Sequence, residues 1–302
     1  MDGAKKYLFA FLCVIIIIAV LFAGTFGAIF ILRQISFSRM FQNVTSEVDH
    51  IPSAVSSGTL YTENAKIDIS QICRKETKNG SFKEVFCIAG NKVYFSYTMS
   101  IPEGSQWVLA RVDLNTLVMK NICSLSNAKK HYTVNRTMEY QERCGYYADG
   151  QIILNDSDTV LVYTIEPGTA KSYTYEEYHF PQIYVAGETI DANTVVLYID
   201  ENKQTFSLSE MAEGSKSIEN IYELRNKKTW DGTPCISRFF GPNSIQTIGD
   251  KIYAMGGCLN FSGEAYAIVF EYNKDSESWQ YAMSFFSGDT TSRECYLVEQ
   301  MQ

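Results

Sequence analysis

Histidine and closely spaced cysteines are scarce in this sequence. Only three histidines are scattered among 302 residues, and no C-x-x-C pair occurs. Zinc sites in proteins draw on cysteine and histidine ligands at short, regular spacing. We therefore assign no catalytic, metal-ligating or cofactor-binding residue from the sequence.

Positive charge is also scarce, and the familiar nucleotide-binding and hydrolase motifs are missing. The 26 lysines and arginines stand against 34 aspartates and glutamates, which gives a formal net charge of -8. Because a nucleic-acid binder needs a surplus of basic side chains to neutralise phosphate, that class is excluded. The sequence has no Walker loop, G-x-G-x-x-G, H-E-x-x-H, G-x-S-x-G or EF-hand loop.

One segment near the N-terminus has no charge at all. Residues 7–32 are 26 consecutive uncharged positions, YLFAFLCVIIIIAVLFAGTFGAIFIL. As a helix with a rise of about 1.5 Å per residue, they exceed the roughly 30 Å of a bilayer core. A cleaved signal peptide has a shorter apolar region of about 7–15 residues. We predict an uncleaved signal anchor in the lipid bilayer, preceded by a cytosolic tail at 1–6, with cleavage near Ala23 as the alternative.

The orientation of this anchor is indicated by sequons on its C-terminal side. Two lysines before the segment and two arginines after it leave the positive-inside rule nearly balanced. Five N-glycosylation sequons lie after the anchor, at Asn43, Asn79, Asn135, Asn155 and Asn260. We therefore predict a single-pass type II glycoprotein of the cell surface or a secretory-pathway membrane, with its C-terminal domain outside the cytosol.

Seven of the eight cysteines also lie after the anchor, which favours disulfides in an oxidising compartment. Pairing sequence neighbours predicts the bonds Cys73–Cys87, Cys123–Cys144 and Cys235–Cys258. This is the simplest of about 15 connectivities that six cysteines allow. Cys295 is then left over, either reduced and buried or joined to a second copy of the chain in a homodimer.

The chain after the anchor divides into two parts. Residues 33–59 show no convincing helix or strand period, and we assign them to a stalk. From residue 60 to 302, short β-branched and aromatic runs alternate with Gly, Asn, Asp and Pro, which predicts strands joined by tight turns. The predicted strands lie at 92–97, 107–112, 151–154, 159–164, 194–199 and 265–272. The only stretch with helical character lies near 209–225, so the fold class is all-β.

The runs recur in a set order that indicates a degenerate repeat. Turns at Gly90-Asn91, Asp149-Gly150 and Gly249-Asp250 each precede a strand, and later turns lie near Asp113 and Asn273. The spacing is irregular but falls near roughly 40–50 residues, a period found among propellers. We predict a β-propeller of about five four-stranded blades over residues 60–302.

The clearest unit, residues 238–285, resembles a kelch repeat. It has a hydrophobic strand that ends in the glycine pair Gly256-Gly257, then Tyr272 before a turn, and Trp279 seven residues later. Residues 88–124 keep the strand order without the glycine pair, and 144–178 lack both the pair and the tryptophan. The resemblance implies a kelch-like propeller in which the large aromatic side chains pack between blades.

The most unusual composition lies between positions 173 and 184, where tyrosine recurs. One interpretation is a binding surface for a protein or glycan, since loop tyrosines offer rigid amphipathic contact area. The other is the outer strand of one blade followed by the inner strand of the next. The tyrosines of the proposed surface are Tyr173, Tyr175, Tyr178 and Tyr184.

These features predict a non-catalytic binding module that presents propeller loops to an extracellular or luminal protein or glycan. The alternative is an enzyme of the secretory pathway. A glycosyltransferase would use the carboxylates of Asp156 and Asp158 for a metal-bound nucleotide sugar, although a solvated hairpin turn also explains this stretch. A sialidase-like glycosidase would need several arginines around the substrate carboxylate.

Overall fold

The computed structural model describes a folded unit that begins at Thr45 and extends towards the C-terminus. The described residues are Val20, Gly24, 45–102, 104–126, 145–155, 159–179, 187–191, 194–199, 202–207, 210–211, 236–260, 265–288 and 295–301. Within these ranges no helix has the length and apolar character needed to cross a membrane. Apart from Val20 and Gly24, the predicted anchor at 7–32 lies outside the described residues.

The described fold is mostly β, as the sequence predicts. The largest sheet has the order β3-β2-β1-β19-β4-β5-β6-β7. Its strands are β1 (Ser53–Ser56), β2 (Thr59–Tyr61), β3 (Lys66–Asp68), β4 (Ser81–Ala89), β5 (Lys92–Ile101), β6 (Gly104–Asp113), β7 (Met119–Ser126) and β19 (Cys295–Met301). Every neighbouring pair is antiparallel except β19 and β4, which run parallel where Glu299 stands opposite Cys87.

Three smaller antiparallel sheets complete the described fold, with the orders β11-β10-β9-β8, β12-β13-β14 and β15-β16-β17-β18. The first contains β8 (Gly145–Ala148), β9 (Gln151–Asn155), β10 (Thr159–Thr164) and β11 (Thr169–Thr174). The second contains β12 (Gly187–Asp191), β13 (Thr194–Ile199) and β14 (Asn202–Ser207). The third contains β15 (Ile236–Ile248), β16 (Lys251–Asn260), β17 (Ala265–Asn273) and β18 (Ser278–Gly288).

The predicted turns between strands are present. Asp149 and Gly150 join β8 to β9 with positive φ angles of 48° and 75°. Two consecutive positive φ angles match the twist of an antiparallel hairpin, and glycine adopts them without strain. Gly90 and Gly249 also have positive φ, at 56° and 61°, in the turns that precede β5 and β16.

Helix α1 (Ile69–Thr77) was not predicted from the sequence. The Oδ1 atom of Asp68 accepts a hydrogen bond from the backbone N–H of Gln71 at 2.8 Å, which caps the N-terminus of the helix. Ile69 and Cys73, one helical turn apart, are buried against the large sheet. The stretch 209–225, where a helix was expected, lies outside the described residues except for Glu210 and Met211, both helical.

The folded domain also begins earlier than the predicted boundary at residue 60. Strand β1 lies within the segment assigned to a stalk and pairs with β19 over its whole length. Further upstream, the backbone N–H of Glu47 donates to the carbonyl of Tyr281 at 2.8 Å, and the Glu47 carboxylate accepts from the Tyr281 N–H at 3.0 Å. Residues 45–59 are therefore part of the domain.

Hydrophobic clusters lie between the two halves of the large sheet and between this sheet and two of the smaller sheets. Val55, Leu60 and Val298 of the β1–β3 and β19 region pack with Phe95 and Val108 of β5 and β6. The opposite side of β4–β7 packs on β8–β11 through the cluster Phe86, Cys87, Tyr94, Trp107, Leu109, Leu125, Ile152, Leu154, Leu161, Tyr163 and Ile165. The opposite side of β1 and β19 packs on β15–β18 through the cluster Ala54, Tyr253, Met255, Ala267, Val269, Ala282, Met283, Phe285, Cys295 and Leu297.

The β12–β14 sheet contacts the β15–β18 sheet. Tyr272 and Trp279 stand opposite each other on β17 and β18, with ring centroids 5.2 Å apart, and both are buried. Phe206 of β14 lies edge-on to Trp279 at 5.6 Å, and the Tyr272 hydroxyl donates to the side chain of Gln204 at 3.4 Å. Tyr272 and Trp279 thus contact the neighbouring sheet.

A half-buried carboxyl group on β19 makes stability depend on pH. Burial, followed by the charge of Asp149, raises the pKa of Glu299 above its ordinary value of 4.5. Because the folded state holds this proton more tightly, the protonated Glu299 side chain stabilises the fold. This contribution to the free energy of unfolding is fully present below pH 4.5 and is lost as pH rises through the folded pKa. Glu299→Gln should raise the free energy of unfolding at about pH 7, by about 0.5 kcal/mol for a partly solvated group, and leave it unchanged at about pH 4. Urea titration of the full chain at both pH values measures this.

Asp113 provides a control whose contribution to stability changes with pH in the opposite direction. The backbone N–H groups of Thr116 and Asn115 donate to its carboxylate at 3.1 and 3.0 Å and lower its pKa below 3.8. Its contribution is present above that pH and is lost as pH falls, so Asp113→Asn should destabilise the chain at about pH 7. If Glu299→Gln also destabilised the chain at that pH, the account of Glu299 would be wrong.

Candidate binding cavity

A cavity of about 660 Å³ lies against one face of the β8–β11 sheet. That face is opposite to the one that packs on β4–β7, since alternate residues of a strand point to opposite sides. Leu161 and Tyr163 enter the cluster shared with β4–β7, whereas Val162 and Thr164 line the cavity. The described residues around it are Ala148, Asp149, Gln151, Val162, Thr164, Pro167, Thr169, Lys171, Tyr173, Tyr178 and His179.

Strand register aligns the polar floor of the cavity. Gln151 of β9 stands opposite Thr164 of β10, and Thr164 stands opposite Thr169 of β11. Residues that are directly opposite in antiparallel strands have their side chains on the same face. The Gln151 amide and two threonine hydroxyls therefore form one row across the sheet, and Lys171 lies in the next row, opposite Val162.

Two of the predicted tyrosines form an aromatic wall. The rings of Tyr173, on β11, and Tyr178 are 5.4 Å apart at an interplanar angle of 45°. Tyr173 is 36% exposed, whereas Tyr178 packs against the buried cluster of Ile153, Val160 and Val162. Burial, and secondarily Tyr173, raises the pKa of Tyr178, so its hydroxyl keeps its proton at neutral pH.

A local turn positions the end of this wall. The N–H groups of Glu177 and Tyr178 both donate to the Thr174 carbonyl at 3.2 Å, and the Glu177 carboxylate accepts from the Thr174 N–H at 3.3 Å. Nδ1 of His179 lies 3.2 Å from the Glu177 carbonyl. These hydrogen bonds form a turn after β11. Tyr178 and His179, which follow the turn, line the cavity together with Tyr173.

The structure thus brings together part of the predicted tyrosine surface. Tyr175 packs on the same buried cluster but does not line the cavity, and Tyr184 lies outside the described residues. Strand β11, which contains Tyr173, is an edge strand of its sheet. No signal in the sequence assigned Gln151, Thr164, Lys171 or His179 to the site.

Comparison of the sequence with protein-family models and with curated proteins gives no match. Within the described ranges, no group of three or more His, Cys, Asp or Glu side chains is placed to hold a metal ion. Asp156 and Asp158, the carboxylates considered for a glycosyltransferase, lie outside those ranges. The described residues that line the cavity include one carboxylate, Asp149, and no arginine.

Of the three predicted disulfides, Cys73–Cys87 is the one for which the structure describes both cysteines. Cys73 and Cys87 are free thiols in separate hydrophobic clusters on opposite sides of the β4–β7 region, so the structure does not contain the predicted bond between them. Cys123 is also a free thiol, while Cys144 and Cys235 lie outside the described residues. Cys295 is buried and its thiol donates to the Ser56 hydroxyl at 3.4 Å.

These thiols can be detected chemically. We expect a maleimide to label Cys73 and Cys87 completely after denaturation without reductant, as read by peptide mass spectrometry. In the native chain, labelling should be slow, because burial raises the pKa of both thiols and shields them. A pre-reduced sample is the control. If denatured Cys73 and Cys87 react only after reduction, the two are bonded and the structure is contradicted.

Of the predicted glycan acceptors that the structure describes, one lies in a turn and two lie at the ends of strands. Asn79 is exposed in the turn after α1. Asn155 ends β9 and Asn260 ends β16. Asn43 and Asn135 lie outside the described residues.

Proposed function

We propose that this chain is a single-pass type II membrane glycoprotein whose extracytosolic domain is a non-catalytic binding module. The cavity on β8–β11 carries the functional part of the proposal, because it joins an aromatic wall to a row of polar side chains. Ligand sites commonly combine a concave shape, apolar walls and a few polar groups that fix orientation. The partner is an extracellular or luminal protein or glycan.

The membrane part of the proposal rests on the sequence and on one structural position. Residues 7–32 are long and apolar enough to anchor the chain in a bilayer, and the sequons lie after them. Asn79 is exposed in a turn, where an oligosaccharide can be attached without disturbing the core. This arrangement would present the folded domain outside the cytosol.

We further propose that the sheets form a propeller of about five blades, with β15–β18 as a kelch-like repeat. The blades would be β1–β3 with β19, then β4–β7, β8–β11, β12–β14 and β15–β18, where the first two are the halves of the eight-stranded sheet. Contacts of the large sheet with β8–β11 and with β15–β18 support this arrangement, as does the pairing of β1 with β19, which joins the two ends of the domain. Trp279 contacts Phe206 of the neighbouring sheet, and this supports a kelch-like role for Trp279 as an aromatic side chain that packs between blades.

Binding should depend on Tyr173. We expect full-length protein in detergent micelles to bind members of an array of extracellular proteins and glycans in a saturable way. Tyr173→Ala should weaken that binding about tenfold, or about 1.4 kcal/mol, because it removes half of the aromatic wall. The dissociation constant of the array ligand measures the change.

Phe286→Ala is the matched control. Phe286 is 37% exposed against 36% for Tyr173, and its ring also lies 5.4 Å from a tyrosine ring, that of Tyr266. Both variants should lose a similar amount of stability, but only Tyr173→Ala should lose affinity. Equal affinities for the two variants, or no array ligand at all, would count against the proposed binding module.

A further inference from the structure

We infer that the cavity on β8–β11 takes a short uncharged saccharide from a partner's glycan. The inference rests on the proposed binding function and names the ligand class. It combines three observations: the size of the cavity, the tyrosine pair at one side, and the row of amide and hydroxyl groups on its floor.

The size of the cavity favours a small ligand. Sites for small molecules measure roughly 300–1,000 Å³, and this cavity measures about 660 Å³. A protein partner covers about 800 Å² on each side of a stable interface and is usually met by a flatter surface. A mono- or disaccharide at the end of a glycan fits such a cavity while the remainder of the glycan stays in solvent.

The tyrosine pair suits one face of a sugar ring. The C–H bonds on that face form a small apolar surface with slight positive charge, which is attracted to the negative face of an aromatic ring. Tyr173 remains partly exposed, so its ring is accessible, while Tyr178 is fixed by its contact with the buried cluster of β9 and β10. The wall is therefore both accessible and rigid.

The floor suits the hydroxyl groups of a sugar. A hydroxyl both donates and accepts hydrogen bonds, and the Gln151 amide and the Thr164 and Thr169 hydroxyls also do both. These three residues are on adjacent strands, at a spacing of about 4.8 Å, so successive hydroxyls can be reached across the row.

The charges around the cavity favour an uncharged sugar. Asp149 supplies one negative charge and Lys171 one positive charge. Because the two have opposite signs, the cavity does not attract an acidic sugar as an arginine or lysine cluster would. The Asp149 carboxylate can still accept a hydrogen bond from a sugar hydroxyl, and the Lys171 ammonium can donate one to it.

Saturation-transfer NMR of the full chain in detergent micelles tests the inference. The probes are the methyl glycosides of galactose, glucose, mannose and N-acetylglucosamine, with N-acetylneuraminic acid as the acidic probe. We expect at least one neutral glycoside to bind, and Tyr173→Ala and Gln151→Ala each to raise its dissociation constant about tenfold. Phe286→Ala and Gln106→Ala, which lie outside the cavity, should leave the constant unchanged.

Two results would overturn the inference and leave the binding module intact. One is binding of the acidic sugar alone. The other is a protein from the array that binds in a Tyr173-dependent way while every sugar fails. If neither sugars nor any array ligand binds, the inference and the proposed function both fail. Thermal unfolding of each variant confirms that it is folded.

Removal of the chain's own sequon at Asn155 identifies the source of the sugar. In the strand register, Asn155 stands opposite Val160, which stands opposite Tyr173, so the backbone of Asn155 is two strands, about 10 Å, from that of Tyr173. A free-sugar signal that is the same in wild type and Asn155→Gln supports a partner's glycan as the ligand. A signal that appears only in Asn155→Gln would show that the chain's own glycan fills the cavity, which overturns the inference.

Discussion

Deleting residues 295–302, which include β19, should abolish cooperative unfolding of the domain. Strand β19 is the link between β1 and β4, so its loss divides the large sheet into two parts. It also removes Val298 from one hydrophobic cluster and Leu297 and Cys295 from another. Each large apolar side chain contributes about 1.5–3 kcal/mol, and the strand adds ladder bonds on both sides, against a total stability of about 5–15 kcal/mol.

The measurement is thermal unfolding of the full-length chain in detergent, followed by circular dichroism and by limited proteolysis at room temperature. A chain that ends at Met301 is the control, since it keeps every position of β19. The truncated chain should show no transition and should be digested rapidly. A cooperative transition within a few degrees of the control would mean that β19 does not hold the sheets together.

The second large effect concerns the contact between β14 and β18. Trp279→Ala should cost about 3–5 kcal/mol, because it removes a buried indole that packs on Tyr272 and on Phe206 of the neighbouring sheet. Phe206→Ala should cost less after Trp279 has been removed than before. The expected coupling energy between Phe206 and Trp279 is about 1 kcal/mol.

Trp107 provides the matched tryptophan. Both indoles belong to residues that are 5% exposed, but Trp107 lies in the cluster between β4–β7 and β8–β11. A double-mutant cycle of Phe206→Ala with Trp107→Ala should therefore be additive within about 0.5 kcal/mol. Urea unfolding of the single and double variants measures both couplings. Additivity in the Trp279 cycle would remove the support that this contact gives to a kelch-like repeat.

Strand positions could be predicted because two local signals agree. The predicted strands at 159–164 and 194–199 coincide with β10 and β13, and the turn at Asp149-Gly150 has the backbone that its residues favour. In such segments, apolar β-branched residues and flanking turn residues indicate the same structure. Helix α1 was missed although Asp68 and Gln71 form a start signal, because nine residues are too few for a clear period.

The cavity could be predicted only in its aromatic part. The tyrosines stand out by composition, whereas Gln151, Thr164 and Lys171 are ordinary polar residues of three separate strands. Only cross-strand register places Gln151 and Thr164 in one row, and register depends on tertiary pairing that the sequence does not show. Strand β1 was missed for the same reason, since its partner β19 is more than two hundred residues away.

Ligand binding by intact cells is the most direct test of the central proposal, an extracytosolic binding module on a membrane anchor. Cells expressing the full chain with a C-terminal tag are stained for the tag and for the fluorescent array ligand, without permeabilisation. The account predicts that both signals are present, that Tyr173→Ala removes only the ligand signal, and that Phe286→Ala keeps both. Signals that appear only after permeabilisation, or a ligand signal that Tyr173→Ala leaves unchanged, would contradict it.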